Sequence, residues 1–337
     1  ATQGKIDFFQ TPKFVRIARY GKKIQMNEGV CPAYSDCRMG LSPDRFILSY
    51  CDRALGITSA EEQPVLPKGN NLSLHLLELF TSQVAKVGMT DGIRQVLQEE
   101  SDALRAYYEQ AGILIARPAG GTSCRLAISA KGGTNAENHN HNDVGSYAVA
   151  LGSETMVGDQ GGPNSYPGDY FNGDAPQKYK IKGSFGHPVP VVDGRTQSSG
   201  GKAKGVVLQK EFTNEKDVFS IDYTSAYSTP NLDKLIRTFV YDRQGKGNFT
   251  VGDEFTAKTP IRFETAITTR ADWKVLDDTH LLLATDSEQM IVAIDASGKV
   301  AFTSETIEVN SPAYTRIGIA LKNQSKEGYI RLKMYTK

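Results

Sequence analysis

The residue types best suited to acid–base or metal chemistry are concentrated in one polar stretch of the sequence. The chain has five histidines. Three of them, His139, His141 and His187, fall in or beside a region rich in Gly, Asn, Asp and Tyr at residues 135–197. His139 and His141 are separated by one residue, and on an extended segment that spacing places both side chains on the same face. We therefore expect the two imidazoles to share one site.

A carboxylate lies close enough in sequence to join these histidines. Asp159 ends the apolar run at residues 155–158, and His187 precedes a second apolar run at 188–192. Imidazole nitrogens and carboxylate oxygens are good Zn²⁺ ligands, and a water can fill the fourth position. Two of the histidines with Asp159 thus form a candidate three-ligand site, and other divalent ions would suit it too. The alternative is that these residues are ordinary hydrogen-bonded loop groups.

The first part of the chain has helical patterns. Ser42 followed by Pro43 predicts the start of a helix near residues 43–55. Ser73 predicts a second helix that ends at Gly88, and Thr90 predicts a third that carries Ile93, Val96, Leu97 and Leu104. Residues 1–110 are therefore expected to be a helical segment.

The pattern changes near Gly112 to short runs of β-branched and aromatic residues separated by turn residues. Such runs at this spacing are typical of antiparallel strands. We predict a mainly β protein whose residues 111–337 form a large antiparallel β-sandwich. Long polar loops within a sheet commonly carry function, which draws attention back to the histidine region.

Composition excludes several classes of function. The 39 Lys and Arg residues offset 38 Asp and Glu, so binding to nucleic acid by bulk positive charge is not expected. No apolar run approaches the roughly 20 residues of a membrane-spanning helix, and no signal peptide is visible in the chain. One disulfide among Cys31, Cys37 and Cys51 is left open, depending on the redox compartment.

Several segments together resemble the heparinase II/III-like polysaccharide lyases. Their order and spacing make the resemblance more specific than any one segment, and together they cover roughly residues 30–260. The segments are Asn138–Tyr147, Val157–Gly161, Ser184–Gln197, Pro32–Asp36, Tyr107–Arg117 and Val251–Phe255.

The resemblance implies roles for the histidines and the aspartate. His139 would be the catalytic histidine that faces the substrate. The next histidine, His141, would bind a structural Zn²⁺ together with Asp159 and His187. This zinc would tie together the strands that present the active-site loops.

The resemblance also implies further site residues. Tyr170 is the nearest equivalent of an aromatic hydroxyl that lines the cleft, ahead of Tyr166. Tyr20 is the counterpart of a catalytic tyrosine, with Tyr34 as a second candidate. Apart from the resemblance, the charges of Arg195 and Lys182, which flank the same segment, could attract an anionic sugar chain. Asn138 is predicted to bind substrate with Arg195, although it could instead orient the imidazoles or form the turn.

The implied fold pairs an α/α-toroid with β-sandwich layers, and this chain departs from it. Its helical part is long enough only for the end of a toroid, and the upstream Asn-His or Glu-His pair that neutralises the substrate carboxylate is not found. The chain would then be the C-terminal portion of a lyase. Its partner would be an upstream toroid portion or a second copy of the chain.

The implied activity is β-elimination on an acidic polysaccharide that contains uronic acid, such as a glycosaminoglycan or an alginate-like polyuronate. A base removes the C5 proton and an acid protonates the departing O4 oxygen, tasks that suit histidine and tyrosine. The resemblance further implies a periplasmic or secreted location.

Two other functions remain open at this point. A glycoside hydrolase would need a pair of carboxylates, for which Asp159, Asp169 and Asp174 are available. A non-catalytic glycan-binding or structural module would need none. A metalloprotease is disfavoured because the sequence contains no His-Glu-x-x-His.

Overall fold

A computed structural model describes most of the chain as two compact units. The described residues are 9, 11–57, 90–99, 103–308 and 312–337. One unit comprises Ala1–Gln25 and Ser42–Ala103, and the other comprises Met26–Leu41 and Leu104–Lys337. The helix predicted between Ser73 and Gly88 lies outside the described residues.

The first unit is helical. Its described helices are α1 (Pro12–Lys23), α2 (Arg45–Ala54) and α3 (Asp91–Glu99). An apolar cluster of Val15, Leu55, Ile93 and Val96 packs the three together. Among the described residues, no helix has both the length and the apolar character needed to cross a membrane.

Two predicted helix boundaries differ from the observed ones. The α2 helix is capped by Asp44, not by Ser42, because the Asp44 carboxylate accepts the N–H groups of Phe46 and Ile47 at 2.8 and 3.1 Å. The third predicted helix does begin after Thr90, but α3 ends at Glu99, so Leu104 is not part of it.

The second unit consists mainly of strands, in three antiparallel sheets. The mainly β prediction is therefore confirmed. The strands are β1 (Arg105–Tyr108), β2 (Ile113–Ala116), β3 (Leu126–Lys131), β4 (Gly133–Asn135), β5 (Tyr147–Leu151), β6 (Glu154–Val157), β7 (Val191–Val192), β8 (Gly200–Phe212), β9 (Lys216–Asp222), β10 (Leu232–Asp242), β11 (Asn248–Ile261), β12 (Phe263–Thr269), β13 (Asp272–Asp277), β14 (His280–Ala284), β15 (Gln289–Ala296), β16 (Val300–Ile307), β17 (Tyr314–Leu321) and β18 (Ser325–Thr336).

The sheets differ in size and in what they carry. A five-stranded sheet has the order β1-β2-β3-β5-β6, and a four-stranded sheet has the order β16-β17-β12-β7. The largest sheet has nine strands in the order β13-β14-β15-β18-β11-β10-β9-β8-β4. The polar region emerges from β4, β5, β6 and β7, so all three sheets contribute to holding it. Within it lies one short helix, α4 (Ala175–Lys178).

A buried ion pair connects the polar region to the core of this unit. Arg237 on β10 forms a two-pronged contact with Asp253 on β11, at 2.7 Å from Nε and 2.6 Å from Nη2. The Nη1 group donates to the carbonyls of Gly145 and Pro188, each at 2.7 Å. Those two carbonyls lie close in sequence to His141 and His187, so the core fixes the backbone on which these histidines depend.

Candidate functional site

Three of the predicted site residues come together in the structure. The ligand atoms of His141, Asp159 and His187 all lie within 4.8 Å of one another, and all three residues are buried. His141 comes from the loop between β4 and β5, and Asp159 follows the end of β6. His187 follows a single turn of 3-10 helix at Ser184–Gly186. The expected metal-ligand set is therefore a compact cluster drawn from three segments.

The hydrogen bonds of this cluster leave atoms suited to a cation. Asp159 accepts from the Ser146 hydroxyl at 3.2 Å and from the Gly161 N–H at 3.0 Å, and its Oδ2 lies 2.8 Å from His187 Nδ1. His141 Nδ1 and His187 Nε2 are buried without a hydrogen-bond partner among the described residues. Because buried polar atoms are rarely left unpartnered, these two nitrogens fit metal coordination.

The members of the cluster shift one another's pKa values. Burial tends to lower the pKa of His187, but the Asp159 carboxylate outweighs it and the net pKa is raised. Burial tends to raise the pKa of Asp159, and the neighbouring histidines reverse this, so its net pKa is lowered. Burial lowers the pKa of His141, which keeps that imidazole neutral at neutral pH, as a metal ligand must be.

A residue that the sequence analysis did not assign to the site, Asp36, joins the two histidines of the His-x-His pair. Its Oδ2 lies 2.8 Å from His139 Nδ1, and its Oδ1 lies 3.2 Å from His141 Nε2. Burial acts to raise the pKa of Asp36, but the contacts with the two imidazoles outweigh it and the pKa is lowered. The Pro32–Asp36 segment was part of the resemblance, which was the only sequence signal for this carboxylate.

The expectation that His139 and His141 project from one face of an extended strand is wrong. Their segment lies in the turns between β4 and β5, and His139 has a left-handed backbone with φ of 57°. The His139 side chain is 61% exposed, whereas that of His141 is completely buried. The two rings still share one site because each contacts a different oxygen of Asp36.

Glycines next to Asp159 allow the Asp36 segment to approach. A Cβ added to Gly161 would lie 1.7 Å from the Cys37 carbonyl oxygen, and one added to Gly162 would lie 2.9 Å from Asp36 Cα. The N–H of Gly162 donates to the Cys37 carbonyl at 3.1 Å. Any larger side chain at Gly161 would therefore displace the backbone that presents Asp36.

Aromatic side chains surround the exposed histidine. Phe171 meets the His139 ring edge-on at 5.8 Å and is 55% exposed. Tyr166 packs on Phe171 at 5.0 Å and is also exposed. The Lys182 ammonium lies 5.0 Å from the Phe171 ring centre and donates to the Tyr170 carbonyl at 2.7 Å. The result is an exposed aromatic edge beside an imidazole, with a positive charge beneath it.

The tyrosines predicted to act in catalysis occupy different settings. Tyr170 is completely buried, and its hydroxyl lies 3.0 Å from His141 Nε2. Burial raises its pKa, so the hydroxyl stays protonated. The Tyr34 hydroxyl is hydrogen-bonded to Ser129 Oγ at 2.7 Å. Tyr20 lies on α1 in the helical unit, half-exposed.

The two residues predicted to bind substrate are exposed. Asn138 directly precedes His139 in the turn, and Arg195 lies in the tight turn after β7. The Arg195 side chain has no hydrogen bond or ion pair within the described part of the chain, so the structure does not bring it into the cluster. The four cysteines, which include the three considered for a disulfide, are free thiols.

Two of the three carboxylates considered for a glycoside hydrolase, Asp159 and Asp169, are engaged in other contacts. Both oxygens of Asp159 have partners within the cluster, as described above. Asp169 is bound by the Lys178 ammonium and the Tyr179 hydroxyl. Asp174 precedes α4 at its N-cap position. This arrangement does not favour a pair of catalytic carboxylates.

Comparisons with known proteins identify the fold. The sequence matches no family model and no curated protein. A heparinase III structure superposes with a TM-score of 0.63 at 12% identity, covering 95% of this chain and 45% of its own. Another heparinase III gives 0.60 at 16% identity, covering 98% and 47%. The heparan sulfate lyase HepC from Pedobacter heparinus gives 0.62 at 13% identity, covering 94% and 45%.

The fold is thus that of the C-terminal portion of heparinase III and heparan sulfate lyase structures. This confirms the resemblance in fold that the sequence motifs indicated. The chain spans less than half the length of these structures.

Proposed function

We propose that this chain is the β-sheet part of a polysaccharide lyase that cleaves uronic-acid-containing glycans by β-elimination. The observation that carries the proposal is His139, an exposed imidazole held by Asp36 at 2.8 Å on the edge of a buried His-Asp-His cluster. In this reaction the C5 proton of the uronate is removed and the bond from C4 to the leaving oxygen breaks. A proton is then returned to that oxygen.

His139 is the residue that we assign to proton transfer at the substrate. Its ring is accessible, and a neutral imidazole has a proton affinity suited to exchange near neutral pH. Tyr170 is buried against His141, so we assign it to orienting that histidine and not to direct contact with the sugar. The assignment of Tyr20 as the catalytic tyrosine stays a prediction from the resemblance.

Phe171 and Tyr166 suit the apolar face of a sugar ring, since both are exposed beside His139. Asn138, the residue before His139 in the turn, is proposed to hydrogen-bond the same sugar. Arg195 is proposed to attract the anionic chain at longer range. The substrate would be an acidic polysaccharide of the glycosaminoglycan or polyuronate type, met in the periplasm or outside the cell.

We also propose that His141, Asp159 and His187 hold Zn²⁺. Two of their nitrogens are buried and have no hydrogen-bond partner among the residues that the structure describes. The donor set is one that zinc favours. A bound zinc would act structurally, cross-linking the loop before β5 to the ends of the segments that carry Asp159 and His187. The reaction steps assigned above use only side chains of the protein.

The test is to incubate the purified full chain with a panel of acidic polysaccharides and measure near-ultraviolet absorbance of an unsaturated product, with zinc content determined in parallel. His139→Ala should abolish product formation and retain zinc. His280→Ala is the matched control, because His280 pairs with Asp277 at the surface of β14 and should leave both quantities unchanged. New reducing ends without the absorbance would contradict elimination.

A non-catalytic glycan-binding module is the second candidate. It is favoured by the exposed rings of Phe171 and Tyr166, which suit the face of a sugar whether or not the glycan is cleaved. In that case no polysaccharide would be cleaved, but the acidic glycans would still bind. His139→Ala and Phe171→Ala would then weaken binding measured by calorimetry.

A further inference from the structure

Asp36 touches both histidines of the pair with different oxygens, and the backbone on each side of the contact is strained. Among the described residues, three non-glycine residues have positive φ, namely Ser35 at 56°, His139 at 57° and Asp193 at 50°. Two of them flank this contact, since Ser35 precedes Asp36 and His139 is its partner. Strain of this kind persists where the surrounding contacts impose it, and it is often found at functional sites.

We propose that Asp36 is a positioning residue that sets the tautomers of His139 and His141 in opposite senses. The carboxylate accepts a hydrogen from Nδ1 of His139 and a hydrogen from Nε2 of His141. His139 is left with a lone pair on Nε2, in a ring that is largely exposed. His141 is left with a lone pair on Nδ1, within the buried cluster. The two tautomers follow from the contacts alone, whereas their roles in proton transfer and zinc binding rest on the proposed function.

The argument for His139 follows from what a carboxylate can do. An ionised carboxylate only accepts hydrogen bonds, and a neutral imidazole carries one N–H and one bare nitrogen. At 2.8 Å from Asp36 Oδ2, His139 Nδ1 must be the nitrogen that carries the hydrogen. The opposite tautomer would place two lone pairs against each other. Nε2 is therefore the nitrogen able to take a proton from a substrate.

The argument for His141 has a second, independent support. Its Nε2 lies between Asp36 Oδ1 at 3.2 Å and the Tyr170 hydroxyl at 3.0 Å, whereas its Nδ1 has no hydrogen-bond partner among the described residues. A hydrogen on Nδ1 would be a buried donor without an acceptor, which proteins avoid. With the hydrogen on Nε2, the Tyr170 hydroxyl is free to donate to Asp36. Nδ1 is then available as a ligand atom toward Asp159 and His187.

One carboxylate therefore links the buried cluster to the exposed base. Loss of Asp36 should release His139 to the tautomer mixture of a free imidazole, in which the Nε2–H form predominates. It should also loosen the orientation of His141, and removing a partner of this type commonly weakens metal binding by about 10- to 100-fold. A purely structural role for Asp36 would change stability without changing either tautomer.

The experiment uses the full chain with ¹⁵N-labelled histidine rings, without substrate and after chelator treatment, near pH 8, above the pKa of a free imidazole. Long-range ¹H–¹⁵N spectra distinguish Nδ1–H from Nε2–H, and five histidines are few enough to resolve. His139→Gln and His141→Gln assign the two ring systems. We expect Nδ1–H at His139 and Nε2–H at His141 in the unmodified chain, and a shift of His139 toward Nε2–H in Asp36→Ala.

The matched control is Asp277→Ala, which removes a surface carboxylate 3.0 Å from His280 Nδ1 and should change only the His280 signals. If Asp36→Ala does not fold, Asp36→Asn replaces it in the same measurement. It should perturb at least one of the two rings, because an amide offers one acceptor oxygen in place of two. Zinc titration of the same samples should show the 10- to 100-fold loss of affinity for Asp36→Ala.

The proposal is overturned if His139 carries its hydrogen on Nε2 in the unmodified chain. It is also overturned if His139 keeps Nδ1–H and His141 keeps Nε2–H in the folded Asp36 variants. These outcomes are separate from failure of the proposed function. An absence of elimination product or of zinc binding in the unmodified chain would contradict the proposed function, while the tautomers of the chelator-treated protein would still decide the role of Asp36.

Discussion

Two buried polar clusters in the β unit differ in whether the protein completes them. In the Arg237–Asp253 cluster, the guanidinium nitrogens bind Asp253, Thr265 and two backbone carbonyls. The Tyr223 and Thr265 hydroxyls donate to the Asp253 oxygens. In the His141–Asp159–His187 cluster, two ring nitrogens have no hydrogen-bond partner within the part of the chain that the structure describes.

The difference distinguishes polar groups that are buried to stabilise the fold from polar groups that are buried to bind a ligand. A buried ion pair with all its hydrogen bonds made needs nothing further, and its removal is felt as lost stability. A buried cluster whose ligand atoms make no hydrogen bond has a free-energy cost of desolvation. A bound cation would offset that cost. The first cluster supports the second, because Arg237 holds the carbonyls of Gly145 and Pro188 near the two histidines.

The largest effect is expected from breaking the complete cluster. Arg237→Met should destabilise the chain by about 3–5 kcal/mol, because it leaves the Asp253 charge buried without its partner. Denaturant unfolding followed by circular dichroism measures this loss. The control is the double variant Arg237→Met with Asp253→Leu, which should recover much of the stability. A loss as large in the double variant would show that the carbonyl contacts, and not the buried charge, dominate.

The next largest effect should come from filling the incomplete cluster. Zinc at about 100 times its dissociation constant should stabilise the chelator-treated chain by about 2.7 kcal/mol, seen as a higher unfolding midpoint. Asp159→Asn should remove most of this gain, because it weakens a ligand and leaves the Arg237–Asp253 pair intact. His280→Gln should retain the gain in full. An equal response in the Asp159 variant would place zinc elsewhere.

A smaller effect tests how Asp36 is brought to the cluster. Gly161→Ala should cost about 1–3 kcal/mol more than Gly245→Ala, because it adds a clash with the Cys37 carbonyl. Both glycines have positive φ, 71° and 58°, but Gly245 is in open space, so it controls for backbone strain alone. Chemical denaturation of the two variants gives the difference. Equal losses would mean that the Asp36 segment tolerates displacement.

The smallest effect on stability is expected at the exposed edge of the site. Phe171→Ala should change the free energy of unfolding by no more than about 0.5 kcal/mol, since the ring is mostly in solvent. Under the proposed function it should raise the KM for the polysaccharide several-fold with little change in kcat. Leu276→Ala, an exposed apolar residue on β13, is the control and should alter neither constant. A stability loss without a KM change would assign Phe171 to packing.

Much of the fold could be predicted from local pattern. The first β-branched run after Gly112, Ile113–Ala116, is a strand, because β-branched residues flanked by turn residues are a local signal. Local pattern does not predict the strands β13 and β16. Both have few buried residues, so they lack the apolar alternation that marks a strand with one face in the core.

The site was predicted less completely. The resemblance pointed to His141, Asp159 and His187 as a set, and the structure brings them together. The burial of Tyr170 was not foreseen. The spacing rule wrongly placed His139 and His141 on one face, because it assumed an extended strand where the chain makes turns, whereas the resemblance gave the two histidines separate roles.

By itself, the sequence determined the kinds of local structure and the supply of imidazoles and carboxylates near one polar region, because both depend on residue type and short-range spacing. The tertiary structure decided which of those groups meet. Asp36 and His139 are 103 residues apart in the chain, and they touch because glycines beside Asp159 let one backbone segment pack against another. Contacts of that range arise from the packing of whole segments, which no local pattern of residues encodes.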